Sequence, residues 1–274
     1  MKKYLLGVVL ALSVIGVNAQ TLDVLVLYPD HVTSRYSASN LQTRIETREN
    51  YTNNAFRNSE SSLRINVIHH QEINLSNDQD VNSSLLSSLV TNKEVMDLRD
   101  THRPDLTVYL TMARPLNDGS GLVTAGLAYF PKPGRDRFGR FIKEREMAFR
   151  GVSVVAINSG ADTFAHEIGH NLGAGHGRLQ NAPGFPISTN RGWGVHDSFT
   201  TIMPYDHLYG DAEVLQYFSN PSVSECLGAN CGTSIDNAVA GMGSIVDDYV
   251  ETYSSCYPTV DVKDRFGRFL RHEC

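Results

Sequence analysis

The stretch His166-Glu167-Ile168-Gly169-His170-Asn171-Leu172-Gly173-Ala174-Gly175-His176 constrains this chain more than any other feature. Residues four apart on an α-helix share a face, so His166 and His170 are expected to present two imidazoles to one point. Gly173 can take a positive φ, and a helix ending there would turn the chain so that His176 supplies a third nitrogen. Three imidazoles directed at one point form a metal site. Three protein ligands leave a coordination position open, which marks a catalytic zinc rather than a structural one. Glu167 follows the first ligand and is expected to reach water beside the cation rather than the cation itself. The pKa of such a water falls to about 7, within range of a carboxylate base. The expected cofactor is one catalytic Zn2+ held by His166, His170 and His176; Ca2+ is possible, but nothing in the sequence indicates it.

Composition fits a folded, water-soluble chain around such a site. Of 274 residues, 41 % are hydrophobic and 20 % charged, and 24 Lys and Arg stand against 30 Asp and Glu for a net charge of −6. That balance excludes a disordered tail, a collagen-like fibre and a polytopic membrane protein. An isoelectric point near 5.9 argues against a nucleic-acid partner, since phosphate binding needs a basic surface. The length suits one large domain or two lobes about one cleft.

The ends differ from the middle. Lys2 and Lys3 precede an apolar run from Leu5 to Val17, and Val17-Asn18-Ala19 ends in a small residue. This is the layout of a secretory signal peptide over 1–19, cleaved near Ala19-Gln20. The run is shorter than the ~20 apolar residues a membrane span needs, so no stable membrane insertion is expected after cleavage. The mature chain, 20–274, is expected to be a secreted, extracellular or periplasmic monomer. Its four cysteines, Cys226, Cys231, Cys256 and Cys274, all lie late. In a secreted chain they read as two disulfides, with Cys226–Cys231 and Cys256–Cys274 preferred among three pairings.

Hydrophobic patterning predicts strands at Leu22–Tyr28, Leu63–Asn74, Leu106–Met112, Thr124–Phe130 and Val152–Asn158. Helices are predicted from Thr33 to about Ser59, over Val81–Arg99, over Asp162–Leu172 with Ser159 or Asp162 as N-cap, and over Asn237–Tyr253. Gly173 to Gly232 is rich in Gly, Pro, Asn and Ser and is expected to be irregular. The fold class is therefore α/β (α+β). A five-stranded, mixed, mostly parallel sheet with helices forms an upper lobe, about 20–173. A loop-rich lower lobe ending in a helix follows, about 174–274.

With these residues in hand, the chain resembles the metzincin zinc endopeptidases, most closely the reprolysin (adamalysin)-like branch and bacterial relatives such as the peptidyl-Asp metallopeptidases. The resemblance implies a metzincin catalytic domain with His166, His170 and His176 as zinc ligands and Glu167 as general base and acid. It implies a secreted hydrolase that cleaves protein or peptide substrates by attack of a zinc-bound water. Thr201-Ile202-Met203-Pro204-Tyr205 matches the Met-turn of the family, making Met203 the methionine beneath the metal. Tyr205 stands where some branches place a transition-state tyrosine; a packed tyrosine is the alternative. Phe218-Ser219-Asn220-Pro221 resembles a segment of the bacterial relatives. Three departures stand out. Gly177 follows the third histidine where reprolysins usually have Asp, the upper lobe has no cysteine, and no pro-segment is expected between the cleavage site and the first strand.

Two features lie outside that resemblance. Asp136-Arg137-Phe138-Gly139-Arg140-Phe141 recurs as Asp264-Arg265-Phe266-Gly267-Arg268-Phe269. This reads as two similar surface strands, a shared recognition element, or two copies packed side by side. Lys132–Arg150 carries seven bases against three acids, which reads as a solvated loop or as a border of the cleft favouring acidic substrates. A metzincin-shaped binding module and a zinc hydrolase acting on a non-peptide bond remain alternative functions.

Overall fold

The computed structural model describes residues 19–116, 119, 121–131, 134–135, 141–142, 150–243, 245, 260–263 and 269–273. The leader, Cys256, Cys274, most of the basic segment, the Asp-Arg-Phe-Gly-Arg portions of both repeats and the end of the last expected helix lie outside the described residues.

A five-stranded sheet organises the chain. Its strands are β1 (Gln20–Tyr28), β2 (Leu63–Glu72), β3 (Leu106–Thr111), β6 (Gly126–Ala128) and β9 (Val152–Ala156), in the order β2-β1-β3-β9-β6. The first four positions in that order run parallel and β6 runs antiparallel to β9 at the edge, pairing Gly126 with Val155. Between β3 and β6, β4 (Arg114–Pro115) and β5 (Val123–Thr124) form a small antiparallel pair. The expected strand at Thr124–Phe130 is therefore two pieces, one belonging to that pair and one to the sheet.

β1 is covered on both faces because its residues are apolar on both. Leu22, Val24 and Val26 pack with Ile45 and Phe56, while Leu25 and Leu27 pack with Leu85, Leu89 and Val95. The first face carries α1 (Asp30–Arg35), α2 (Ala38–Asn58) and the helix of the histidine motif, α5 (Ala161–Asn171); the second carries α3 (Ser83–Ser88) and α4 (Lys93–His102).

Two long expected helices are each broken in two. Tyr36 is extended, and Ser37 then starts α2 with its side chain accepting from the Asn40 N–H. Likewise Asn82 accepts from Leu85 N–H at 2.8 Å and Asn92 from Val95 N–H at 3.2 Å, so each opens a fresh helix. The start of α5 also differs from expectation. Gly160 is its N-cap without a side-chain bond, and Ser159 Oγ instead donates to Ala156 O at 2.6 Å.

After Gly173 the elements are short. β10 (Gly194–Val195), β11 (Phe199–Thr200) and β12 (Glu213–Val214) form a small sheet over Phe199, Val223 and the half-cystines Cys226 and Cys231. Cys226 and Cys231 are bonded, one half of the preferred pairing. The helix expected from Asn237 is present at 238–243. β7 (Gly134–Arg135) with β8 (Phe141–Ile142), and β13 (Val260–Lys263) with β14 (Phe269–Glu273), are separate antiparallel pairs. Each repeat is thus flanked in sequence by paired strands, Arg135 opposite Phe141 and Lys263 opposite Phe269, and the second pair shifts register between Val262 and Lys263. Among the described residues no helix is long and apolar enough to cross a membrane.

Candidate metal centre

The parallel strand β9 delivers the chain to α5, whose apolar stripe of Phe164, Ala165, Ile168 and Leu172 is fully buried against the core. That burial leaves His166 and His170 on the remaining face. The helix ends in two bonds that close a Schellman turn, Gly173 N–H to His170 O at 2.9 Å and Ala174 N–H to Gly169 O at 2.8 Å, with Gly173 at φ +83°. A Cβ at Gly173 would collide with Phe185 O as well as strain the backbone. The turn brings His176 back over the helix.

The three imidazoles converge, with one ligand nitrogen from each lying within 4.8 Å of the others. His170 Nε2 and His176 Nε2 are 3.0 Å apart. Neither can be a donor to the other if both carry lone pairs, and two ligands at Zn–N distances of 2.0–2.1 Å in a tetrahedral site stand about 3.3 Å apart. The tautomers are set from behind. His166 Nδ1–H donates to Ile202 O at 3.0 Å and His170 Nδ1–H to Ala174 O at 2.7 Å, leaving Nε2 free toward the centre. Burial holds all three imidazoles below their ordinary pKa, and His166 adds to the effect on the other two; His176 falls to about 4. Neutral imidazoles are what a cation requires. The donor set therefore fits a zinc-type ion.

Glu167 is buried beside the histidines, and its Oε2 has no hydrogen-bond partner. Burial pushes its carboxyl up to about 8. An unpartnered buried carboxylate is costly, and a nearby cation or a bound water relieves that cost. Met203 is fully buried beneath α5, close to Gly169, and the preceding carbonyl is the one that orients His166. Tyr205 is 43 % exposed, and its ring lies 4.4 Å from that of His176 and 6.1 Å from that of His166. All six expected site residues thus meet at one place.

Other residues at the centre carry no sequence signature of their own. Gly126 of β6 faces Glu167, Phe130 lies over His170 with ring centroids 5.1 Å apart, and Asn171 Nδ2 donates to Tyr129 O and Val152 O at 2.9 Å each. Gly177 has a local explanation. A Cβ there would collide with Tyr209 Oη and lie 3.1 Å from Pro204 Cβ and Cγ, so the space of a larger side chain is already taken. Phe218 stacks on Phe56 at 5.0 Å, while Asn220 Nδ2 donates to Ser59 O at 2.8 Å, tying that segment to the end of α2.

Comparison with known proteins agrees with this geometry. Residues 42–177 match the family described as metallo-peptidase family M12B, reprolysin-like. Over 248 residues, 85 % of this chain and 40 % of the relative, the chain is 29 % identical to a peptidyl-Asp metalloendopeptidase from Pseudomonas aeruginosa. Over 143 residues, 47 % of this chain and 29 % of the relative, it is 29 % identical to a serralysin from Photorhabdus sp.. The chain thus spans well under half the length of these curated relatives. Its fold is similar to that of a chain in a solved structure of a chaperone–substrate complex, with a TM-score of 0.64 at 17 % identity, covering 85 % of this chain and 36 % of that one. Taken together with the fold and the histidine cluster, the reprolysin-like match at residues 42–177 and the likeness to the Pseudomonas enzyme support a metzincin-like metallopeptidase.

Proposed function

We propose that the chain is a zinc-dependent endopeptidase acting on protein or peptide substrates outside the cytoplasm. The observation that carries this reading is the convergence of His166, His170 and His176 beside a buried, unpartnered Glu167. A divalent ion held there would supply Lewis acidity toward a scissile carbonyl and an attacking water. The chain's own groups do the rest. Glu167 accepts a proton from the attacking water and passes it to the leaving amine, a role suited to a carboxyl whose pKa burial has raised toward neutrality. Tyr205, exposed at the rim, donates its hydroxyl to the developing oxyanion. Met203 closes the floor beneath α5. Substrate binds in extended form along β6, the edge strand of the sheet, through backbone hydrogen bonds. Leu116, Leu122 and Val123, exposed on the pair just before β6, offer apolar contacts nearby.

The leader at 1–19 supports export, and the disulfide between Cys226 and Cys231 suits an oxidising compartment. The Pseudomonas relative is named for peptidyl-Asp bonds. The seven bases within 132–150 are the feature of this sequence that fits a comparable preference for acidic side chains.

The deciding measurement is hydrolysis of casein or gelatin by the full chain, with and without a chelator, beside a Glu167→Ala variant. Activity is expected to vanish with the chelator, return with zinc, and fall by about 10²–10⁴ in the variant. Activity that survives both treatments overturns the reading.

A further inference from the structure

The three candidate ligands are not held alike. His166 and His170 each have a backbone carbonyl behind Nδ1, whereas Nδ1 of His176 has no hydrogen-bond partner among the described residues. His176 is also flanked by Gly175 and Gly177, which have no side chains with which to anchor the loop. Yet its Nε2 must be placed as accurately as the other two.

The chain on both sides of His176 is tied to a single buried carboxylate. Arg178, two residues after His176, grips Asp236 with both arms of its guanidinium, Nε to Oδ1 at 3.0 Å and Nη2 to Oδ2. On the other side, Gly175 forms a parallel bridge with Arg191, Gly175 N–H donating to Asn190 O at 2.8 Å and Gly192 N–H to Gly175 O at 3.1 Å. Arg191 Nε in turn donates to Asp236 Oδ1 at 2.7 Å. Thr233 Oγ1 gives Asp236 a further hydrogen bond. Asp236 is fully buried, Arg191 is 20 % exposed and Arg178 44 %. The carboxylate is itself fixed, since Asp236 and Thr233 exchange backbone bonds at 3.0 and 3.2 Å and Asn237 N–H donates to Thr189 O at 2.9 Å. Burial alone would raise the Asp236 pKa, and the hydrogen bonds from Arg178, Thr233 and Arg191 hold it below its ordinary value instead. Bidentate, charge-assisted bonds of this kind fix direction as well as distance.

We propose that Asp236 is a positioning residue for the third metal ligand: by gripping Arg178 and Arg191 it holds the 175–178 loop so that His176 Nε2 meets His170 Nε2. Carbonyls behind the first two histidines set their orientation directly; this clamp sets the third through the backbone. The proposal rests on the metal-centre reading given above and adds a residue 58 positions beyond Arg178 to the machinery.

The test is zinc affinity of the full chain, measured by competition with a chromogenic chelator, for the wild type, Asp236→Asn and Arg178→Ala. The visible spectrum of the Co2+ form and the unfolding midpoint of the metal-free form are recorded alongside. Loss of a partner behind a metal ligand commonly costs 10–100-fold in affinity, so Asp236→Asn is expected to bind zinc about 10–100-fold more weakly, with weakened and shifted Co2+ bands. Arg178→Ala, which leaves Asp236 paired with Arg191 and Thr233, is expected to bind zinc about tenfold more weakly, with its metal-free midpoint near that of the wild type. If Asp236→Asn does not fold, Arg178→Ala decides. Variants that unfold earlier but hold zinc as tightly as the wild type, with an unchanged Co2+ spectrum, make the clamp merely structural and overturn the proposal. A wild-type chain that binds no zinc overturns the metal-centre reading itself.

Discussion

Gly126 on the edge strand and Glu167 on the metal-site helix are packed so closely that any side chain at 126 would have to displace that of Glu167: a Cβ there would stand 2.6 Å from Glu167 Cδ and 2.7 Å from Cγ. The strand expected to take up substrate thus also sets where the proposed general base rests. Gly126→Ala is expected to push the carboxylate aside and reduce kcat/KM by roughly 10²-fold or more, because misplacing an acid–base group forfeits most of its contribution. Zinc content should stay at the wild-type level, since the histidines are untouched. A variant of normal activity would show that the carboxylate has room to move.

Gly169, two residues and about half a helical turn beyond Glu167, presents the same constraint on the other side of α5. A Cβ at Gly169 would lie 2.5 Å from Met203 Sδ and 3.1 Å from Phe218 Cε1, both fully buried. Dense interiors do not absorb an extra methyl here without displacing neighbours. Gly169→Ala is expected to destabilise the metal-free fold by about 1–3 kcal/mol, measured as a shift in the urea midpoint. The gain in helix propensity from Gly to Ala, about 1 kcal/mol, works in the opposite direction and sets the lower end of that range.

How much of this is legible in the sequence depends on the range of the interaction. The ligand set is local: His166 and His170 share a face because of helical pitch, and Gly173 permits the turn that returns His176, so spacing alone predicts their meeting. The sheet is legible because Leu22–Tyr28 and Val152–Asn158 are apolar on both faces. The helix breaks at Tyr36 and Asn92 are not, because polar helix formers and cap residues read alike until tertiary packing chooses between them. Thr124–Phe130 hides its division because the pairing of Val123–Thr124 with Arg114–Pro115 leaves no mark in the apolar period. Gly126, Asp236 and the carbonyls of Ile202 and Ala174 are beyond local reading, since each acts on a group that only the fold brings near.

The disulfide Cys226–Cys231 closes a short loop, with a sequence separation of 5, under the small cluster of Phe199 and Val223. Loop-closure entropy for so few residues is worth roughly 2 kcal/mol. Replacing both cysteines by serine is expected to cost about that amount in urea unfolding, with somewhat more if the buried hydroxyls find no partners. Zinc binding by the folded variant should be unchanged, because the bridge touches none of the histidines.

Asp105 offers a pH test independent of the metal centre. It is 8 % exposed, and its Oδ2 accepts from the Asp23 N–H at 2.7 Å while its own N–H donates to Asp23 O at 2.8 Å. Burial raises its carboxyl from 3.8 to about 6, the Asp23 backbone bond opposes this, and the Asp23 carboxylate adds to it. A folded-state pKa above the unfolded value means the folded chain keeps a proton that the unfolded chain has lost. Stability from this group therefore falls as pH rises from about 4 to about 6 and is level beyond, a total of about 3 kcal/mol. Asparagine mimics the protonated acid, since its amide oxygen still accepts from Asp23. The Asp105→Asn variant is thus expected to match the wild type near pH 4 and exceed it by up to about 3 kcal/mol at pH 7, compared by urea unfolding in the chelated state. Parallel stability profiles for the two chains across that window would show that the carboxyl ionises in the fold as easily as in water.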